Sequence, residues 1–293
     1  MLEMGGAATA LVKLSNSKVV EKLIDKIAGI QEIRYEPTRI VRAAHAEAEA
    51  DKIRAVARIE INELERRALE RMVREEGRHQ CNMEAITSKA ALRLNDGARP
   101  EDIDDDWLVD FFEKCRTVGD ETMQDLWAKL LSEEANNPNT FNRQVVGIVS
   151  TMGKLQAQLF ERLCNYSWTW TFTTPLHPFV FDLSDEIYCF RFLTLNDISE
   201  LESLGLVRLD HAVRFQLPVG DGTWIRYQGR GFKVIAKNPQ VTAFPHGHVI
   251  FTNAGKLLAR VSKVLPVDGF VDYVGKKLSE LGFILEEVPQ VKS

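Results

Sequence analysis

A chain of 293 residues, 45% apolar and 27% charged, has an ordinary globular composition and the length to bury roughly three quarters of the surface its unfolded form exposes. Its formal net charge of −5 excludes a globally basic nucleic-acid protein and a highly acidic disordered one, so any site for a polyanion must be local.

The chain begins MLEMGGAATALVKLSNS, which lacks a basic segment followed by an unbroken apolar one, and no stretch approaches the ~18 apolar residues of a membrane span. Cytoplasmic residence is the expectation, with free thiols at the widely spaced Cys81, Cys115, Cys164 and Cys189. From Ser15 to Ile30, Val19, Leu23, Ile27 and Ile30 recur at helical spacing with Lys18, Lys22 and Lys26 between them. Such a helix either packs on its own protein or touches a membrane peripherally through 15–30; the packed reading is preferred.

Between Arg39 and Leu94 there is no proline and one glycine, Gly77, so a long helix or two collinear ones can form. Ile53, Ala57, Ile61, Leu64, Ala68 and Met72 fall at steps of three or four and build a narrow apolar stripe. The rest of that helix is charged and balanced, with Glu63 and Arg67, and Glu70 and Arg74, in the favourable i,i+4 order. A stripe this narrow suits a partner helix, so these six residues are the expected oligomerisation face, although the spacing is not the strict heptad of a regular coiled coil.

After Asn95-Asp96-Gly97, the segment EDIDDDWLVDFFEKC sets Trp107, Leu108, Phe111, Phe112 and Cys115 on a broad core face. The five acids of Glu101 to Asp106 cap the helix start or, in the second reading, hold a divalent cation. A helix capped by Asp120 follows, then one expected over Asn142–Leu163. At Asn165 the period changes to two: Tyr166, Trp168, Trp170 and Phe172 predict a strand, with short strands expected at Val180–Leu183 and Ile187–Phe192. Thr194 caps a helix closed by Gly205, and VRFQLPV and TWIRYQGRGFKVIA flank Gly220-Asp221-Gly222, which predicts a hairpin there. A strand, a Thr252-capped helix, a helix over Gly269–Leu281 and the strand FILEEV end the chain. Helix, hairpin and helix in this order resemble a winged-helix arrangement.

No Walker loop, GxSxG elbow, HExxH helix or CxxC pair occurs, so the reading leans away from an enzyme and expects no cofactor and no metal. His246-Gly247-His248 is the closest histidine pair, without a third ligand nearby in sequence. Charge is uneven: Val207 to Lys237 holds six Arg or Lys and two Asp, whereas Ala98 to Thr140 holds four basic and twelve acidic residues. Arg226, Arg230 and Lys233 with the aromatics Trp224, Tyr227 and Phe232 form a candidate nucleic-acid surface, phosphates to the cations and bases to the rings, or equally a surface that docks on the acidic helical region of a neighbouring subunit.

The strings REEGRHQCNMEAI and ARPEDIDDDWLVDFFEKCRTVGDETMQDLWAKLLSEEANNP resemble the bacterial family called domain of unknown function 2806, from about Tyr35 to Cys164. LNDISELESLGLV and FTNAGKLLARV are similar, less specifically, to the tail of that family and to abortive-infection alpha proteins. This resemblance implies a role in bacterial antiphage defence and carries no chemistry onto residues. The expected fold is α+β, mainly α: an amphipathic segment (1–38), a long charged helix for oligomerisation (39–97), a helical bundle (98–164) and a winged-helix-like α+β domain (165–293). The expected function is a non-enzymatic homo-oligomer acting as sensor or effector in abortive-infection-like defence, with a phage or host protein as partner. The alternatives are a nucleic-acid-binding module and a metal-dependent nuclease using the Glu101 to Asp106 acids.

Overall fold

A computed structural model describes residues 18–30, 63–170, 176–189, 193–210, 215–219 and 222–288. The class is α+β, mainly α, and the chain divides into two compact units, Met1–Ser150 and Thr151–Ser293. No helix among the described residues is long and apolar enough to cross a membrane.

The first unit is helical. A helix over 18–30 (α1) buries Val20, Leu23 and Ile30, and its lysines reach the acidic stretch: Lys22 to Glu101 at 2.6 Å, and Lys26 to Asp105. Helix α2 (Glu63–Ala91) follows, then a 3-10 turn at Pro100–Asp102, α3 (Asp105–Cys115), α4 (Glu121–Asn136) and α5 (Arg143–Thr151). The acids at the start of α3 and α4 act as helix caps, because Asp104 accepts from Trp107 N at 2.8 Å and Asp120 from Met123 N at 3.1 Å. Trp107 stacks on Phe111 at 5.2 Å and Phe111 meets Trp127 edge-on at 5.0 Å, which joins the cores of α3 and α4.

Among the described residues of this unit, only the C-terminal half of α2 is docked. Asn82, Ile86, Ala90 and Ala91 are buried, and Asn82 donates to Arg116 O at 2.9 Å while accepting from Gln124 Nε2 at 3.4 Å. Gln124 also donates to Val118 O at 3.0 Å, so one satisfied polar network fixes the register of α2 against the turn before α4.

The single helix expected over Asn142–Leu163 is two. Gly153 is extended and its N–H is taken by Gln156 Oε1 at 2.7 Å, which ends α5 and starts α6 (Lys154–Cys164) in the second unit. That unit continues with β1 (Ser167–Trp170), β2 (Leu176–Pro178), α7 (Glu186–Cys189), α8 (Leu195–Ser203), β3 (Val207–Leu209), β4 (Phe215–Pro218), β5 (Thr223–Tyr227), β6 (Arg230–Ala236), β7 (Ala243–Gly247), β8 (Val249–Phe251), α9 (Asn253–Ala259), α10 (Phe270–Glu280) and β9 (Phe283–Val288). A five-stranded antiparallel sheet runs β2-β1-β5-β6-β9, and β3-β8 and β4-β7 form two smaller pairs.

Three local expectations differ, the first at Val180–Leu183, where Val180 makes an isolated bridge to Gly247 and no strand forms. Where a strand was expected from Ile187, residues 186–189 form a helical turn, set by an Asp182 carboxylate that accepts from Ser184 N and Oγ and by Tyr188 donating to Phe179 O at 2.7 Å. The hairpin turn is Gln228-Gly229, not Gly220 to Gly222, and β4 pairs with β7 instead of β5. Gln228 (φ 48°) and Gly229 (φ 82°) supply the two left-handed residues that a twisted two-residue hairpin requires. With β1 and β9 bonded to its flanks, β5–β6 is the middle of a sheet and not a projecting wing.

Trp168 centres the core of this unit. Its ring stacks on Tyr227 at 4.9 Å and Phe179 at 5.4 Å and meets Phe232 edge-on at 5.2 Å. Phe270, Val274 and Leu278 of α10 are buried, and Phe270 lies 5.4 Å from Tyr227, so α10 covers this face of the sheet.

Candidate functional site

Three surfaces among the described residues have the geometry of a site. The first is the N-terminal part of α2. Every residue from Glu63 to Arg78 is exposed, including Leu69 at 50%, Met72 at 55% and Val73 at 64%. Ala68 and Leu64 are exposed beside them, whereas Ile53, Ala57 and Ile61 lie outside the described residues. Leu69, Met72 and Val73 stand at i, i+3 and i+4 and so form one patch. The stripe read at 64, 68 and 72 missed Leu69 and Val73, which widen it. Around the patch the charges pair along the helix: Arg66 with Glu63 at 2.7 Å and Glu70 at 2.6 Å, Arg67 with Glu63 at 3.7 Å, and Arg74 with Glu70 at 3.7 Å.

The second surface is the five-stranded sheet. Strand alternation divides the sequence-derived nucleic-acid residues between its faces. Tyr227 and Phe232 are buried against Trp168, and the Tyr227 hydroxyl donates to Asn165 O and accepts from Val267 N, each at 2.9 Å. The two rings are therefore core and unavailable for stacking on a base. Arg230 lies at the edge of that same face, over the Phe232 ring at 5.2 Å, with two bonds to the Glu287 carboxylate at 2.9 and 2.7 Å. The outer face carries Arg226, Lys233 and Trp224, the last 43% exposed.

The third is a cleft of about 660 Å³ in the second unit. Phe181, Leu183, Leu195 and Leu209 give it an apolar floor, and Asp182, His248 and Lys277 are among its polar groups. The two bonds from Ser184, with Lys277 and His248 adding positive charge nearby, hold the Asp182 carboxyl below its ordinary range. Lys277 is occupied by Asp185 at 3.0 Å and by the Tyr273 ring at 5.6 Å. No motif signalled this cleft, because its walls come from segments far apart in sequence.

The remaining candidates have local roles. Glu101, Asp102 and Asp105 pair with Lys22, Arg99 and Lys26, and Asp104 caps α3, so the acids that the second reading set around a cation point to separate partners. Within His246-Gly247-His248 the two rings part company: His246 is buried and donates from Nδ1 to Pro178 O at 2.9 Å, while His248 donates to Asp210 O at 2.8 Å. Gly247 between them has φ 125°, and a Cβ there would sit 2.0 Å from Val180 O, so the backbone crossing requires glycine. Among the described residues no group of three or more His, Cys, Asp or Glu is placed to hold a metal ion. Burial pushes the Cys115 and Cys164 thiols well up, which makes both unreactive.

Residues 66–220, more than half of the chain, match the model of a family described as Protein of unknown function (DUF2806). The match begins later than Tyr35 and runs past Cys164 into the sheet-bearing unit. No curated protein and no solved structure matches the chain.

Proposed function

Since the chain belongs to the DUF2806 family, whose description assigns no activity, we propose from its own surfaces that it is a non-enzymatic protein that assembles with copies of itself through α2. The observation that carries this reading is the exposed patch of Leu69, Met72 and Val73 on a helix that, among the described residues, is docked at its other end. An apolar patch of this kind on a solvated helix favours a partner helix. A second copy is the fitting partner because the charges flanking the patch are self-complementary: residues 63–78 hold five Glu and five Arg.

Light scattering on the full chain at tens of micromolar should give a mass above that of one chain. Leu69→Asp with Val73→Asp should return the mass to a monomer while the far-ultraviolet circular dichroism stays unchanged. A monomeric parent, or a double variant with unaltered mass, refutes the reading.

Within this frame the assembly serves bacterial antiphage defence, as sensor or effector, with a phage or host protein as its trigger. The motive is a resemblance read from the sequence alone, of the Leu195 to Val207 and Phe251 to Val261 segments to abortive-infection alpha proteins; the family match itself assigns no activity. Expression in a bacterial host should lower plaque counts for at least one phage of a broad panel, and the Leu69→Asp/Val73→Asp pair should restore them. Equal plaque counts across the panel with and without the protein remove the defence reading and leave assembly standing.

A further inference from the structure

The outer face of the five-stranded sheet has an order that the pairing register makes explicit. One row across the strands reads Thr169, Arg226, Gly231; the next reads Trp224, Lys233, Glu286; the next Ile235 and Ile284. Lys233 is thus the direct cross-strand neighbour of Trp224, and Arg226 follows Trp224 on the same strand at about 7 Å, two residues along. Thr169 and Gly231, on either side of Arg226, are small, so the Trp224 ring and the Arg226 side chain stand above a shallow strip.

The other described tryptophans do not share this setting. Trp107, Trp127 and Trp168 are buried and Trp170 is half-buried, whereas Trp224 is exposed beside two cations. Neither Arg226 nor Lys233 has a hydrogen bond or ion pair from its side chain to another described residue, in contrast to Arg230, which Glu287 neutralises. An exposed indole beside two cations, Arg226 open and Lys233 half-buried with its chain against Gly222 and Glu286 opposite it, has the chemistry that holds a strand of unpaired bases: a ring stacks on any base, and cations track the phosphates. The Glu286 carboxylate lies beyond Lys233 in the same row and repels phosphate, so the favoured path runs over β1, β5 and the near side of β6.

We propose that this face binds single-stranded nucleic acid, with the Trp224 indole stacked on a base and Arg226 and Lys233 holding neighbouring phosphates. This narrows the residue set read from sequence: Tyr227 and Phe232 leave it and Arg230 becomes a structural residue, while Trp224 alone of the three aromatics remains as the stacking platform. The reading is independent of assembly through α2, since it rests on different residues in the other unit.

Fluorescence anisotropy of labelled oligothymidylate and oligouridylate on the full-length protein tests it. Binding should appear at low salt, with log affinity falling against log salt at a slope of about −1.4 for two phosphate contacts on a single strand. Trp224→Ala should weaken binding roughly 5- to 100-fold and Trp224→Phe should restore much of it. Arg226→Ala with Lys233→Ala should flatten the salt slope, and Arg230→Ala should leave affinity and slope unchanged. Preference for one oligomer identifies the source as RNA or DNA, and either result supports the site. No binding of either at low salt overturns the proposal, as does binding that the Arg226→Ala/Lys233→Ala pair leaves intact. A Trp224→Ala variant that alters the particle mass with no effect on oligomer binding also overturns it and makes the face a protein interface.

Discussion

At the scale of single residues, buried polar groups show what the chain had to satisfy. Glu134 is buried at the end of α4 and receives the backbone N–H groups of Asn139 at 2.6 Å and Phe141 at 2.8 Å, one on each carboxylate oxygen. Burial raises its pKa, so its charge is a cost at neutral pH that the two donors offset. Glu134→Gln removes the charge but sets an amide NH₂ against a backbone N–H, and chemical denaturation should show a loss of about 1–3 kcal/mol. A stabilised variant would mean that the charge, not the loop contacts, governs the position. The histidines make the opposite demand. Burial lowers His177 and His246 from 6.5 to about 4, their rings lie 5.6 Å apart, and no described residue bonds His177 Nε2. The unfolded chain takes up protons near pH 6.5 and the folded one not until about pH 4, so stability is full above that window and falls as pH drops through it. The loss is roughly 3 kcal/mol per ring at most. His177→Phe should flatten the decline of denaturation midpoint between pH 6.5 and 4; parallel curves for parent and variant would show that other groups, His246 among them, set the acid limb.

At the scale of elements, legibility followed how local the determining interaction is. The caps Asp120, Thr194 and Thr252 were readable, and a cap among the Glu101 to Asp106 acids that proves to be Asp104, because each bonds a backbone N–H three residues on. The ion pairs Glu63–Arg67 and Glu70–Arg74 were readable for the same reason. The break at Gly153 was missed although Gln156 stands three residues later, because the apolar spacing of Val149, Met152 and Leu155 carries a helical period straight through it. The hairpin was misplaced by a stronger-looking turn: Gly220-Asp221-Gly222 has the better turn chemistry, but β4 takes β7 as its partner, a pairing across about thirty residues that no local pattern announces. The candidate sites divide in the same way. Period alone gave Leu64, Ala68 and Met72 on α2, while Leu69 and Val73 needed the exposure of the whole helix face. The inner and outer faces of β5 and β6 needed the register, since Arg226 and Tyr227 are adjacent in sequence and on opposite sides of the sheet.

At the scale of the molecule, a net charge of −5 conceals local imbalances that each unit largely absorbs: Glu101 and Asp105 take Lys22 and Lys26 in the first, and Glu287 takes Arg230 in the second. Among the described residues this pairing leaves an apolar patch on α2 and a cationic, aromatic face on the sheet, in different units. The two proposals therefore make a joint prediction that neither makes alone. If copies assemble through α2, each brings its own sheet face, and a long single strand can engage several faces at once. The second contact is then intramolecular, which multiplies affinity without any new interaction, provided the strand spans the sites. Leu69→Asp with Val73→Asp should lower affinity for a long oligomer by tenfold or more while leaving a short one, confined to a single face, unaffected. Arg226→Ala with Lys233→Ala should weaken both lengths and leave the particle mass at its parent value. Anisotropy titrations with the two lengths, paired with light scattering on the same samples, check this; equal losses for short and long oligomers in the α2 variant would show that the patch supports the sheet face itself rather than multiplying it.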